Sequence, residues 1–167
     1  MNENNELFTI RQAIRSDLPA VSALYREAVG SDGCIWNEYY PTIEDAENDL
    51  ARGGLYVMEN ENGRIIAATS VVPENELDGL NFWNYQGEHV REAARITVKK
   101  EYRGRGLSAV LLGRIFDLLK KDGCEAIRLL AAKCNPAALR TYEKMGFQVL
   151  SECEMYGNEY FAEEKIL

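Results

Sequence analysis

The feature that most constrains this chain is Tyr102-Arg103-Gly104-Arg105-Gly106-Leu107-Ser108, a glycine-rich turn between a strand-like run and a long apolar helical run. Two glycines let the backbone take positive φ, so the amides that open the next helix can converge on one anionic group. Arg103 and Arg105 add guanidinium forks suited to phosphate oxygens. Taken alone, the stretch fits an ordinary turn with two solvated arginines equally well, and its neighbours decide. Residues 92–98 are the strand that feeds the turn; alternation puts Glu92, Ala94, Ile96 and Val98 on the core-side face and Ala93, Arg95 and Thr97 on the other. Residues 107–120 carry an apolar helical pattern that Lys120-Lys121-Asp122-Gly123 ends, with cations at the helix C-terminus and glycine as the stop. Residues 126–132 are a short continuous apolar strand, which completes a strand-turn-helix-strand unit with parallel strands.

Upstream, residues 8–14 alternate as a first strand, and Ser16-Asp17-Leu18-Pro19 caps a helix that runs to about Gly30. Residues 31–41 form a loop whose Trp36, Tyr39 and Tyr40 either pack beneath it or wall an acceptor pocket. Thr42-Ile43-Glu44-Asp45 is a capping-box pattern that opens a short helix ended by Gly53-Gly54. Residues 55–58 and 64–72 read as strands joined through Asn62-Gly63, a tight hairpin turn. An acidic, aromatic segment follows at residues 73–86, with Glu74, Glu76, Asp78, Phe82, Trp83 and Tyr85, either functional or a surface elaboration. Downstream, Asn135-Pro136 opens a helix that Met145-Gly146 ends, with Asn135, Ala138 and Tyr142 on one face. Residues 147–155 and 159–167 form a closing hairpin about Tyr156-Gly157-Asn158. With no repeat or linker, residues 1–167 read as one domain.

Charge and composition narrow the function. A net charge of −8 disfavours nucleic acid and anionic membranes as partners. The polar first six residues lack a signal-peptide layout, and no apolar run approaches the roughly 20 residues of a membrane helix, so a cytoplasmic protein is expected. Cys34, Cys124, Cys134 and Cys153 lack metal-ligand spacing and read mostly as reduced, buried small apolar groups. A single histidine, His89, leaves little material for a metal site or a Cys-His nucleophile. Gly104-x-Gly106-x-x-Ala109 also satisfies the dinucleotide-binding pattern. Its context is wrong: antiparallel runs precede it, and Lys133 stands where that fold wants an acid, although a lysine there would suit a 2′-phosphate. No Gly-Lys-Ser/Thr follows, so there is no P-loop.

Arg103-Gly104-Arg105-Gly106-Leu107-Ser108 at a helix start resembles the acyl-CoA signature of the GNAT superfamily of N-acyltransferases, with Ser108 departing from its final Gly or Ala. The run from Asn135 to Phe147 resembles that family's other signature, and the order of elements is similar over nearly the whole chain. The resemblance implies an α/β fold: a twisted, mixed sheet of about seven strands with flanking helices and a splayed central cleft for acetyl-CoA. It further implies that the pantetheine arm bonds the backbone of Ile96 and Val98. The pyrophosphate would rest on Gly104, Arg105, Gly106, Leu107 and Ser108 beside Arg103, with Asn135 and Tyr142 near the thioester.

An alkyl amine near pKa 10.4 sits about three units above neutrality, so losing its proton costs roughly 4–5 kcal/mol and a base is useful. Glu92 is the candidate general base and matches a glutamate that some family members keep, or it forms a salt bridge at the strand start; Glu88, Tyr85 or a water chain are alternatives. A strand amide near Val98 would stabilise the oxyanion, and Tyr142 resembles the family's general acid toward the leaving thiolate. The expected reaction is direct transfer of acetyl to a primary amine, small-molecule or peptide, in a ternary complex without metal. Cys134 is the residue that would argue for a covalent intermediate. Trp36, Tyr39, Trp83 and Glu88 are candidate contacts for a cationic acceptor. The alternatives are a non-catalytic acyl-CoA-binding regulatory module and, more distantly, a nicotinamide oxidoreductase. A monomer and a homodimer fit the sequence equally.

Overall fold

Local chemistry sets the ends of the helices. The structure, a computed structural model, describes residues 6–73 and 76–167, so Glu74 and the side chain of Glu76 fall outside the description. Helix α1 (Leu18–Ala28) carries proline in its first turn, but Asp17 does not cap it with its side chain. That carboxylate instead accepts from Ile14 N at 2.8 Å and from Arg11 at 2.7 Å, closing the short 3-10 turn Arg15–Asp17. At α2 (Ile43–Ala51) the capping-box expectation holds, with Thr42 N donating to Asp45 at 2.7 Å. The remaining helices are α3 (Leu107–Lys121) and α4 (Pro136–Lys144).

Seven strands form one mixed sheet: β1 (Thr9–Gln12), β2 (Leu55–Glu59), β3 (Ile65–Val72), β4 (Val90–Val98), β5 (Ala126–Ala132), β6 (Gln148–Met155) and β7 (Asn158–Ile166). Their order is β1-β2-β3-β4-β5-β7-β6, and only β4 and β5 run parallel. On one face α3 and α4 bury the main core, including Leu111, Leu112, Ile115, Leu129, Tyr142 and Phe147. On the other, α1 and α2 cover Leu55, Val57 and Ala68, and residues 77–83 cover Ala162. Burying apolar area on both faces at about 25 cal/mol per Å² makes this central sheet rigid enough to hold a site. Of the cysteines only Cys124 is buried; Cys134, just after β5, is exposed, and Cys34 in the loop after α1 and Cys153 within β6 are intermediate.

The expected alternation of β4 is broken. Ala68 faces Thr97 and Ser70 faces Ala94, so two residues of β4, Arg95 and Ile96, oppose Thr69 alone. Arg95 takes φ +51 at this bulge. An inserted residue reverses the phase. Ile96 and Val98 therefore join Ala93 on the α3 side. Glu92 instead pairs across the sheet with Val72 and Arg128 on the α2 side, opposite to its expected alignment with Ile96 and Val98.

Candidate active site

The two parallel strands separate almost as soon as they meet. Pairing between β4 and β5 covers only Val90 with Ala126, Arg91 with Ile127 and Glu92 with Arg128. Beyond Glu92, β4 bonds only β3 and β5 bonds only β7, which leaves a V-shaped gap lined by unpaired backbone. Lys99 N bonds Ile66 O across β3, so the alternate residue Val98 turns its own backbone groups toward the gap. Its carbonyl there accepts from Arg103 Nε at 2.8 Å, leaving the Val98 N–H for a ligand.

At the open end of the gap stands the glycine turn. Gly104 and Gly106 take φ +75 and +72, a region that an L side chain enters only at about 1–2 kcal/mol. A side chain at either glycine would meet nothing within 4 Å, so backbone shape and not crowding demands them, and the space above stays clear. No side chain caps α3, whose first-turn amides face outward with the positive end of the dipole. Leu107 is buried beneath this turn and Ser108 is half-buried. Arg103 also donates to Ser31 Oγ at 3.0 Å, so it braces the turn against the loop after α1. Arg105 is exposed, bonding Glu6 at 3.3 Å and stacking on Tyr102.

On the α2 side of the gap, the side chain of Glu92, whose backbone is paired in the sheet, makes no hydrogen bond among the described residues. Burial pushes its carboxyl up to about 7; Arg95 and Arg52 oppose the rise, while Asp49 and Asp78 add to it. Beside it Arg95 donates to both oxygens of buried Asp49, at 2.9 and 2.7 Å, and to Tyr40 Oη at 2.9 Å. The sequence reading missed this clamp between Asp49 and Arg95. A charged residue within an apolar strand was its only local signal.

On the α3–α4 side lies Tyr142, nine-tenths buried against Phe147. Its hydroxyl makes no hydrogen bond among the described residues, and burial, reinforced by Glu163, raises its pKa well above that of an ordinary phenol. Glu163 of β7 is 3% exposed, its Oε2 unbonded, its pKa pushed up to about 7 by burial and then by Glu143. Asn135 Oδ1 accepts from Ala138 N at 3.2 Å and caps α4. Gly33 lies so close that a Cβ there would stand 3.1 Å from Asn135, which seats the 31–41 loop beside the gap.

The aromatic candidates scatter. Trp36 packs edge-on to Tyr25 at 5.6 Å over the α1 core, and Tyr39 is 78% exposed. Trp83 is only 5% exposed; Nε1 donates to Leu77 O at 2.7 Å, and its ring lies 4.8 Å from Arg128, so its cation is already internal. Glu164 and Arg128 hold this loop by bonding Asn84 N, Tyr85 N and Tyr85 O. Trp83 thus backs the Glu92 face from behind. Glu88 is exposed just before β4, and Tyr85 donates to Glu125 at the surface, away from the gap. Cys134 and His89 flank opposite ends of β5, roughly 25 Å apart at about 3.3 Å per residue, too far for a thiol–imidazole pair. Among the described residues no cluster of His, Cys, Asp and Glu could hold a metal ion, and no helix is long and apolar enough to cross a membrane.

A splayed sheet with an uncapped helix N-terminus at its mouth, and titratable groups on both faces, has room for an extended ligand with an anionic end. The chain belongs to the acetyltransferase (GNAT) family, whose model matches residues 21–147. It is 26% identical over 159 residues to the L-methionine sulfoximine/L-methionine sulfone acetyltransferase of Salmonella typhimurium, covering 91% of this chain and 86% of that protein. Identity and coverage are the same with an L-amino acid N-acyltransferase of Escherichia coli. A GNAT-family acetyltransferase structure from Streptococcus agalactiae shares the fold at TM-score 0.77 and 23% identity, with 96% of this chain and 95% of that chain covered.

Proposed function

We propose that this acetyltransferase moves the acetyl group of acetyl-CoA directly to the α-amine of a free amino acid or a close analogue, within a ternary complex. The observation that supports the reading is that Glu92 and Tyr142 lie on opposite faces of the sheet whose central strands part. The α3 amides and the glycine turn bind the pyrophosphate, and the Val98 N–H orients the arm in the gap. Glu92, with a pKa near neutrality, accepts the ammonium proton on the α2 side. The free amine attacks the thioester carbonyl, whose oxygen develops negative charge beside the unpaired strand amides. The C–S bond then breaks, and Tyr142 supplies a proton to the thiolate from the α4 side. Two relatives that by name act on amino acids or amino-acid analogues support the acceptor class.

The test is release of CoA thiol from acetyl-CoA with amino acids, alkyl amines and peptides as acceptors. Release that depends on free amino acids is expected. Saturable acetyl-CoA binding without release across the whole panel would replace this reading with that of a non-catalytic binding module.

A further inference from the structure

At the end of the sheet away from the glycine turn lies a second cavity of about 190 Å³, lined in part by Gln12, Arg52, Tyr56, Arg91, Asp122 and Cys124. Arg91 and Val98 are separated by seven residues of β4, roughly 23 Å at about 3.3 Å per residue, so this cavity is remote from the pyrophosphate cradle. Arg91 stands opposite Ile127 of the main core, on the α3 side, whereas Glu92 faces α2. The cavity therefore opens on the face of β4 opposite to Glu92, with Arg52 at its rim near enough to act on the Glu92 carboxyl as well.

Its two guanidiniums, unlike those that brace the sheet, have no carboxylate partner among the described residues. Arg11, Arg95 and Arg128 each pair with carboxylates, in keeping with 27 acids against 19 bases. Among the described residues Arg52 makes no side-chain hydrogen bond or ion pair, and Arg91 bonds only the carbonyl of Val90, at 3.3 Å. Asp122, at the end of α3, also lacks an ion pair, although it borders the same cavity as both guanidiniums. Two unpaired guanidiniums call for a carboxylate or similar anion. A free carboxylate at a helix C-terminus calls for a cation. Neither a simple anion nor a simple cation satisfies both. The volume is that of about six water molecules at ~30 Å³ each, below the range of drug-sized pockets of roughly 300–1,000 Å³ and suited to a small metabolite.

We propose that this cavity is a second small-molecule site that takes a free α-amino acid as its zwitterion, the carboxylate on Arg52 and Arg91 and the ammonium on Asp122. Gln12, whose Nε2 is held by Gly53 O at 2.8 Å, leaves its side-chain oxygen as a further acceptor for the ammonium.

The experiment is an amide NMR titration of the full chain without acetyl-CoA, using glycine, L-alanine and L-methionine, with propionate and propylamine as single-charge probes. Saturable shifts at Gly53, Arg91 and Cys124 with a Kd on the order of 1 mM are expected for the amino acids, and binding at least about tenfold weaker for either single-charge probe. Asp122→Asn brings the amino acids down to the affinity of propionate, and Arg91→Gln abolishes both. Asp122 is exposed at a helix end, so its substitution leaves the fold intact and suffices if the Arg91 variant does not fold. The proposal is overturned if those amides do not shift up to roughly 20 mM amino acid, or if propionate binds as tightly as the amino acids. Shifts confined to Glu92 and Arg95 would also overturn it, since the ligand would then be the acceptor in the gap. None of these outcomes depends on acetyl transfer.

Discussion

Replacing Glu92 by glutamine keeps the shape of the side chain and removes its titration. With a pKa of about 7, this carboxylate is half ionised at neutral pH, as the proposed role of general base requires. Without it the acceptor must lose its proton to solvent; for an alkyl amine near 10.4, the upper bound for an α-amine, the deficit is about 3.4 units or roughly 4.6 kcal/mol at pH 7. That corresponds to a loss of about 10³-fold, within the roughly 10²–10⁴ expected of a general base. A peptide N-terminus, near 7.7–8.0, needs only about 1 kcal/mol and would lose about tenfold, so the size of the effect also reports the acceptor. The assay is kcat/KM for the best acceptor at saturating acetyl-CoA from pH 6 to 10. Wild type should rise with pH through about 7 and level off, because Glu92 must be ionised to accept a proton. The variant should instead keep climbing with unit slope until the amine titrates, and meet wild type at the alkaline end. A loss of less than about threefold with the limb near 7 intact would refute the reasoning; the raised pKa would then reflect burial alone.

Tyr142→Phe should lower kcat by about 10²-fold or more with little change in the KM for acetyl-CoA, since only the leaving thiolate needs the phenol; an unchanged kcat would remove Tyr142 from the chemistry. Gly106→Ala forces an L side chain to φ +72, so a Tm drop equivalent to about 1–2 kcal/mol and weaker acetyl-CoA binding by calorimetry are expected together. Asp49→Ala strands the Arg95 guanidinium in a buried site and should destabilise by about 3–5 kcal/mol in denaturant melts, far more than an exposed pair would. Glu163 is raised from 4.5 to about 7 in the folded chain, so its contribution to stability is full below about 4.5 and lost as pH rises through about 7. Glu163→Gln should therefore flatten the fall in stability between those pH values, by about 3 kcal/mol at most.

Much of this protein was written locally. Helical spacing at Leu18, Val21, Leu24 and Tyr25, the Thr42 capping box, Asn135-Pro136 and the glycine stops fix helices to within a residue or two, because caps and periodicity act over a single turn. The two glycines before α3 likewise announced the positive-φ turn that opens this helix, since that conformational freedom is a property of the residue itself. Tertiary structure decided what depends on partners distant in sequence. The bulge at Arg95 arises from the register of β4 against β3, and it moved Glu92 to the α2 face against the alternation of its own strand. Whether Trp83 meets a substrate cation or an internal one depended on Arg128, 45 residues away. The neutral pKa of Glu92 is likewise set by burial beneath α2 and by Arg95, Arg52, Asp49 and Asp78 from three segments of the chain. Periodicity carries which residues form an element; desolvation and charge pairing exist only once the elements have met.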